Sequence, residues 1–494
     1  MNEINRIFLI GIDSIIFDRT SFGGNDLNVC PTLKWLAEEG INCVNNYSHS
    51  GPTQFSLPSV FTSTLPLDFN GYDKGIIERP NSLVEVLKKN AFSTFAVLPN
   101  FWASEFGGYD RGFDFTSDGY CLSTVWDSAN IYINYFDNQM SCGNISKGER
   151  NSLVLSHLEK LMIQTKVYCE KVIQESGQLN TKDKFKDIYK FNYEKILKKI
   201  SLKIETASEA EAVLRDLVNS TRLNKKIRNL FYKNYVSADW SIDSVLKRLD
   251  HNKSKKTMSF AFLEDLHELN TCRGYGAYFR SNANKLLASI PSSDRYRRIY
   301  KYLNNQYRDK SNSILYDASL KYIDNALKRF LCGLRNRSML NESLIVIFSD
   351  HGTSFNDPSG ITATFQEDYL KVPMIFWSSE LQSSNVETLT SLFDLAPTVL
   401  DLSKIKIPET YKGLSVMSEE IKDREYIIHE NAGLGPCDIV NKKLNVGLRD
   451  KNSLLWTTQD DEIKDSYRQV ITKRKAKVKK YAQKLYHSNG GSQF

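Results

Sequence analysis

Leu344-Ile345-Val346-Ile347-Phe348-Ser349-Asp350-His351-Gly352 is a run of five apolar residues that stops abruptly at a hydroxyl, a carboxylate and an imidazole. Such a run, rich in β-branched side chains, predicts a strand buried on both faces. Polar donors at its end fall on the sheet edge where α/β proteins gather ligands. The opening of the chain has the same grammar: Ile7-Phe8-Leu9-Ile10-Gly11-Ile12 leads directly into Asp13. An Asp-His pair after one strand is accounted for equally well by turn formation or helix capping. Two strands that deliver Asp13, Asp350 and His351 to equivalent edges offer hard oxygen donors beside a nitrogen donor, a set that suits one divalent cation, with Ca, Mg, Mn and Zn all open.

Similar apolar runs recur at Phe92 to Leu98, Ser259 to Leu263, Val372 to Trp377 and Tyr426 to Ile428. Helical periodicity separates them, clearest from Ile314 to Leu334, where Leu315, Tyr322, Ile323, Ala326, Leu327, Phe330 and Leu331 return at helical spacing. Strands alternating with helices predict an α/β fold with a mostly parallel sheet covered by helices on both faces. At 494 residues the chain exceeds one ordinary core, so a large catalytic α/β domain, assigned to 1–145 and 257–421, is expected beside smaller parts. Residues 146–256 change to Lys- and Glu-rich amphipathic segments and read as a helical insertion. Residues 422–494 read as a small α+β subdomain, with a short antiparallel sheet and a basic terminal helix.

Hydrophobic residues make up 41% and charged residues 25% of the chain, the balance of a globular protein rather than a disordered or fibrous one. The formal charge of +7 argues only weakly for an anionic substrate. Its local excess, Lys473, Arg474, Lys475, Lys477, Lys479, Lys480 and Lys484, is expected to be a solvated helix face or frayed tail rather than a nucleic-acid contact. Met1 to Ile10 reads as a first strand and not a signal peptide, and no window approaches the length of a membrane span. The eight cysteines show no CxxC spacing, so neither a zinc cluster nor a disulfide framework is expected, and a cytoplasmic location is the simplest expectation.

Between Asn45 and Pro66 lies a hydroxyl-rich loop leading into a short helix, whose N-terminus favours an anion. Asn46-Tyr47 with this loop, Ser59-Val60-Phe61-Thr62-Ser63, Gly112-Phe113-Asp114, Phe262 to His267, Tyr316-Asp317 through Asp324, Phe348 to Gly352, Lys371-Val372-Pro373-Met374 and Leu392 to Leu400 follow one another in an order that resembles the sulfatase family of the alkaline-phosphatase-like superfamily. The likeness runs from about Ile7 to Val416, outside the insertion. It implies that Asp13, Asp350 and His351 hold the metal and that the nucleophile is Thr53, with Ser56 its nearest rival. It also implies that His267 faces the leaving group or the anionic oxygens of the substrate. Ser56, Asn100 and His429 are expected to line the substrate, whereas His49 has no assigned task.

Departures from the family pattern are informative. Formylglycine sulfatases begin from Cys or Ser followed by x-Pro-x-Arg, whereas this chain has Thr53-Gln54-Phe55-Ser56-Leu57. The second acid common after the first metal Asp is Ser14, and the usual Lys and His are replaced around Pro99-Asn100-Phe101. The set resembles instead the superfamily's phosphoester hydrolases and phospho-headgroup transferases that attack with an unmodified Thr. The expected activity is metal-dependent hydrolysis of a phosphoric or sulfuric ester on a polar, glycan-type substrate. Transfer to an acceptor alcohol and a non-catalytic binding protein on the same fold are the alternatives, and the oligomeric state is left open.

Overall fold

The computed structural model describes residues 4–25, 28–69, 71–72, 75–98, 103, 107–118, 140, 145–152, 237–252, 254–266, 308–353, 365–431, 445–457, 460 and 462–487. Most of the expected helical insertion, 153–236, lies outside the described residues, as do Asn100 and His267. The chain forms two compact units. One comprises 1–119, 236–434 and 438–481, the other 120–235, 435–437 and 482–494. In the second unit, Ser146 and Glu149 close a capping box at the start of the helical turn 147–152.

The first unit is built on an eight-stranded sheet with helices on both faces. Its strands are β1 (Arg6–Ile12), β2 (Ile41–Cys43), β4 (Ser93–Leu98), β5 (Phe115–Asp118), β6 (Thr257–Leu263), β7 (Ser343–Phe348), β8 (Met374–Trp377) and β9 (Ser384–Val386), in the order β5-β4-β6-β1-β7-β8-β2-β9. Only β8 runs against the others. β1 sits at the centre, paired in parallel register with β6 and β7 from Arg6 onward. The mostly parallel, doubly covered sheet is the one the apolar runs predict.

These strands read as continuous apolar runs because alternate side chains enter different cores. Ile7, Leu9, Phe260, Phe262, Val346 and Phe348 face one side, packed with Leu57, Val60 and Phe61 of α2 (Thr53–Thr62). Phe8, Ile10, Ala261, Leu263, Ile345 and Ile347 face the other. There they meet α1 (Pro31–Glu39), α4 (Ala238–His251) and α5 (Arg308–Asn336). The first face also receives α3 (Leu83–Lys89) and α7 (Leu395–Leu402), α6 being the short helix Glu367–Leu370. Gly11 is required where β1 passes between two aromatics, since a Cβ there would lie 2.6 Å from Phe262 and 2.8 Å from Phe348.

Several acidic residues in the family-like motifs do structural work. The Asp324 carboxylate accepts from the Thr32 and Leu33 amides, supplying in trans the cap that Cys30 does not give α1. Asp265 does the same for Ala238 at the start of α4. Asp394, fully buried, is gripped by Arg424 through both carboxylate oxygens and accepts from the amides of Ser391 and Leu414.

The expected small antiparallel sheet is present as β11 (Tyr426–Asn431), β12 (Asn445–Asp450) and β13 (Leu455–Trp456). Helix α8 (Asp465–His487) follows. The expectation that its basic run is a solvated face needs correction. Arg474 bonds buried Glu430 and Asp68, and Lys477 also bonds Asp68, which Lys412 reaches from another side at 2.6 Å. Burial opposes the charge on Asp68, but these three cations hold its carboxyl well below the usual range. Lys473, Lys479 and Lys480 do point to solvent. Helical periodicity had to place one face of the run against acids that are distant in sequence, and the local charge count carries no sign of that.

Candidate active site

Three chain segments meet at the C-terminal edge of β1 and β7. The amide of Asp13 donates to Leu263 O at 2.9 Å, extending the β1–β6 ladder by one residue and fixing where the Asp13 side chain leaves the sheet. Ser14 then turns the chain in the left-handed region, at φ 64°, a conformation that costs a non-glycine residue roughly 1–3 kcal/mol unless its surroundings enforce it. Its hydroxyl donates to Asp13 Oδ1 at 2.6 Å, leaving Asp13 Oδ2 as the free oxygen.

Past β7, Ser349, Asp350 and His351 are buried. The His351 amide donates to Asp350 Oδ1 at 2.9 Å. His351 Nδ1 lies 2.7 Å from Gly352 O. Because a carbonyl only accepts, Nδ1 is the donor here, and Nε2 is the ring nitrogen turned toward the carboxylates. That nitrogen lies 3.5 Å from Asp350 Oδ2 and 3.7 Å from Asp13 Oδ1.

The third segment brings the hydroxyl. β3 (Asn46–Tyr47) pairs with β10 (Thr390–Ser391). The loop behind β3 is also tied to the residues before β8. Val372 donates to Asn46 O at 3.0 Å and Ser48 donates to Leu370 O at 2.7 Å, while Gly352 donates to Tyr369 O at 2.8 Å. One short stretch, 369–372, therefore holds both the His351 turn and the loop that starts α2. Thr53, the first residue of α2, is buried there with its Oγ1 3.1 Å from His351 Nε2.

Asp13, Asp350 and His351 each offer a ligand atom, and the three atoms lie within 4.8 Å of one another. Asp13 Oδ2 and Asp350 Oδ2 are buried without a hydrogen-bond partner among the described residues. Burial, and then the neighbouring charge of Asp13, pushes the Asp350 carboxyl above its usual range. Two orphaned carboxylate oxygens with His351 Nε2 around one point fit a divalent cation, which would satisfy both oxygens and relieve their repulsion.

Other expected site residues are placed differently. Ser56 is not brought into this cluster. Its hydroxyl turns back onto Pro52 O and Thr53 O, both at 3.2 Å, because a serine inside a helix readily bonds the preceding turn. His429 is fully buried on β11, with Nδ1 2.9 Å from Ser48 O and its ring beside Tyr47 and Phe365. Its Nε2 has no hydrogen-bond partner among the described residues. Burial, and then positive Arg449, keeps this imidazole neutral, well below the ordinary histidine range.

The unassigned His49 proves to be the counterpart of His429. Its Nδ1 lies 2.6 Å from Ile428 O, its Nε2 3.1 Å from Ser391 Oγ, and its carbonyl accepts from the Glu430 amide at 2.9 Å. The two histidines thus clasp the loop that leads to Thr53 against β11. Burial pushes the His49 imidazole down to about 4, with Arg424 and Arg474 adding to the fall against Asp394 and the Ile428 carbonyl. Because the folded value is depressed, the unfolded chain takes up the proton first. Stability from a neutral His49 is therefore complete above pH 6.5 and is lost as pH falls from there toward 4. A shift from 6.5 to about 4 corresponds to roughly 3 kcal/mol. Urea titrations at pH 7.5 and 4.5 should show His49→Gln losing markedly less stability on acidification than the parent. Equal losses would remove His49 from this role.

A sulfatase family model matches residues 5–405, and the chain belongs to the sulfatase family. It is 29% identical over 151 residues to the uncharacterized sulfatase YdeN of Escherichia coli, a match covering 28% of this chain and 26% of that protein. It is 28% identical over 160 residues to an arylsulfatase of Clostridium perfringens, covering 30% of this chain and 31% of that protein. The matched stretch thus spans about a quarter to a third of these curated relatives. A solved phosphonate monoester hydrolase from Silicibacter pomeroyi shares the fold, with a TM-score of 0.51 at 13% identity over 97% of this chain and 95% of that one. No helix of the described residues is long and apolar enough to cross a membrane.

Proposed function

We propose that this chain is a metal-dependent hydrolase of phosphoric or sulfuric esters that attacks with the unmodified hydroxyl of Thr53. The observation that carries the reading is the meeting of Thr53 Oγ1 with His351 Nε2 at 3.1 Å, beside the two orphaned oxygens of Asp13 and Asp350. Formylglycine chemistry does not suit a threonine, because oxidising its secondary alcohol yields a ketone rather than an aldehyde.

Asp13, Asp350 and His351 would hold the cation. When bound, it would acidify the Thr53 hydroxyl and draw charge from a non-bridging ester oxygen. The chain's own groups do the rest. The start of α2 places Thr53 where helix amides and the positive end of the helix dipole favour an anionic substrate. Thr53 Oγ, its proton released to solvent water, attacks phosphorus or sulfur in line as the bond to the leaving oxygen breaks, giving a phospho- or sulfo-threonine, and water then releases the inorganic anion. We assign protonation of the leaving oxygen to His267 on the family resemblance. A polar, glycan-type alcohol as leaving group rests on the same resemblance.

The test uses the purified full chain. Metal analysis should find one divalent cation per chain, lost in Asp350→Asn. Aryl phosphate, aryl sulfate and phosphonate esters are then supplied with Mn2+ or EDTA, with and without glycerol. Metal-dependent release of phenol is the expected outcome. Faster release with glycerol and appearance of a glycerol ester would indicate group transfer instead of hydrolysis. A bound cation without turnover of any ester would leave a binding protein and overturn the proposal.

A further inference from the structure

The turn that follows β1 is held by two side chains with no place in the chemistry above. Tyr316, fully buried on α5, donates its phenol proton to Ser14 O at 3.0 Å and accepts from the Ile16 amide at 2.7 Å. Ser349 Oγ accepts from the Ile15 amide at 2.9 Å and lies 2.6 Å from Ile12 O and 2.8 Å from His351 O. Every backbone group of the turn that these bonds capture belongs to the residues directly after Asp13 or, in Ile12, directly before it. Ser14 is left-handed, and its hydroxyl selects which Asp13 oxygen stays free. The turn's conformation, together with the Asp13 amide's bond to Leu263 O and the Ser14 amide's bond to Asp350 Oδ1 at 3.4 Å, therefore sets the direction of the Asp13 carboxylate.

We propose that Tyr316, with Ser349, is a positioning residue for the cation site: the two hydroxyls clamp the Ser14 turn so that Asp13 Oδ2 converges with Asp350 Oδ2 and His351 Nε2. Neither hydroxyl is among the groups that would hold the cation. A phenol suits the task because it donates and accepts at once, matching one carbonyl and one amide two residues apart. Burial pushes its acidity far out of reach, so it stays a neutral donor under all working conditions. Groups that orient metal ligands from behind commonly govern affinity by about 10- to 100-fold. This inference rests on the reading that Asp13 binds a cation.

Mn2+ titration calorimetry on the metal-stripped full chain tests it, alongside thermal melting of the same metal-free samples. Tyr316→Phe, and independently Ser349→Ala, should weaken Mn2+ affinity about tenfold or more. Tyr411→Phe is the control. It loses a single part-buried phenol bond, to Asn81 O at 3.1 Å, and should melt lower while binding Mn2+ like the parent. Affinity unchanged in folded Tyr316→Phe would overturn the assignment and leave the proposed function standing. Should Tyr316→Phe not fold, Ser349→Ala decides by the same criterion. A parent protein that binds no Mn2+, Zn2+, Mg2+ or Ca2+ would overturn both this assignment and the function on which it rests.

Discussion

Thr53→Ala is expected to lower ester turnover by roughly 10³- to 10⁶-fold, the range in which removal of a covalent nucleophile falls. The change deletes one hydroxyl and one methyl at the first position of α2, where neither closes a helical hydrogen bond, so the helix should form as before. Metal binding should persist, because Asp13, Asp350 and His351 are untouched. Thr53→Ser keeps the hydroxyl near His351 Nε2 and should retain most of the rate. The pair separates nucleophile from scaffold: a Thr53→Ala protein that binds metal and still turns over within tenfold of the parent would exclude Thr53 as the attacking group. Trapping offers a second readout, since acid quench during turnover of a labelled phosphate ester should leave label on the parent chain and none on Thr53→Ala.

Arg424→Met is expected to lower unfolding stability by about 3–5 kcal/mol, as for removal of one partner from a buried ion pair. Asp394 is fully buried and its two oxygens are spoken for by Arg424 and by the Ser391 and Leu414 amides. Without the guanidinium a carboxylate remains in a closed space with two amide donors only. Arg424 also lies over the Phe393 ring, 5.0 Å from its centroid. Combining Arg424→Met with Asp394→Asn should recover part of the loss, because the stranded charge is gone. Urea midpoints at pH 7.5 for the parent, single and double variants measure this, and a single-variant loss below about 1 kcal/mol would contradict a dominant role for the pair.

The sheet and the cluster of Asp13, Asp350 and His351 were legible because they are written locally. Ile7 to Ile12 and Leu344 to Phe348 announce buried strands, and Asp13, Asp350 and His351 follow them without a gap. Thr53 was reachable only through family order, since nothing in Ser48 to Ser56 distinguishes one hydroxyl from the next. The 3.1 Å approach to His351 depends on stretch 369–372 gripping both loops. Roles that required a distant partner stayed hidden. Asp324 caps α1 from 292 residues away along the chain. His49 and His429 acquire meaning only together, and Tyr316 is unremarkable until its phenol is seen across the Ser14 turn. Arg474 and Lys477 show the same limit from the other direction, because a basic run looks like solvent-facing charge unless the helix register and the acids it meets are known.

The attachment of α8 to Asp68 and Glu430 has a consequence for biosynthesis. Asp68 lies six residues after α2, yet its cationic partners are Lys412, Arg474 and Lys477. While the ribosome is still making the middle of the polypeptide, that acid lacks all three of these cations, and the loop after α2, held by Arg79, has yet to meet Glu430. Only the β5-β4-β6-β1-β7 part of the central sheet lies within residues 6–348; β8 and β9, through which β2 joins it, come later. The surroundings of the proposed nucleophile settle only after the late segments emerge, so prematurely ended translation products would carry part of the sheet without the finished candidate site.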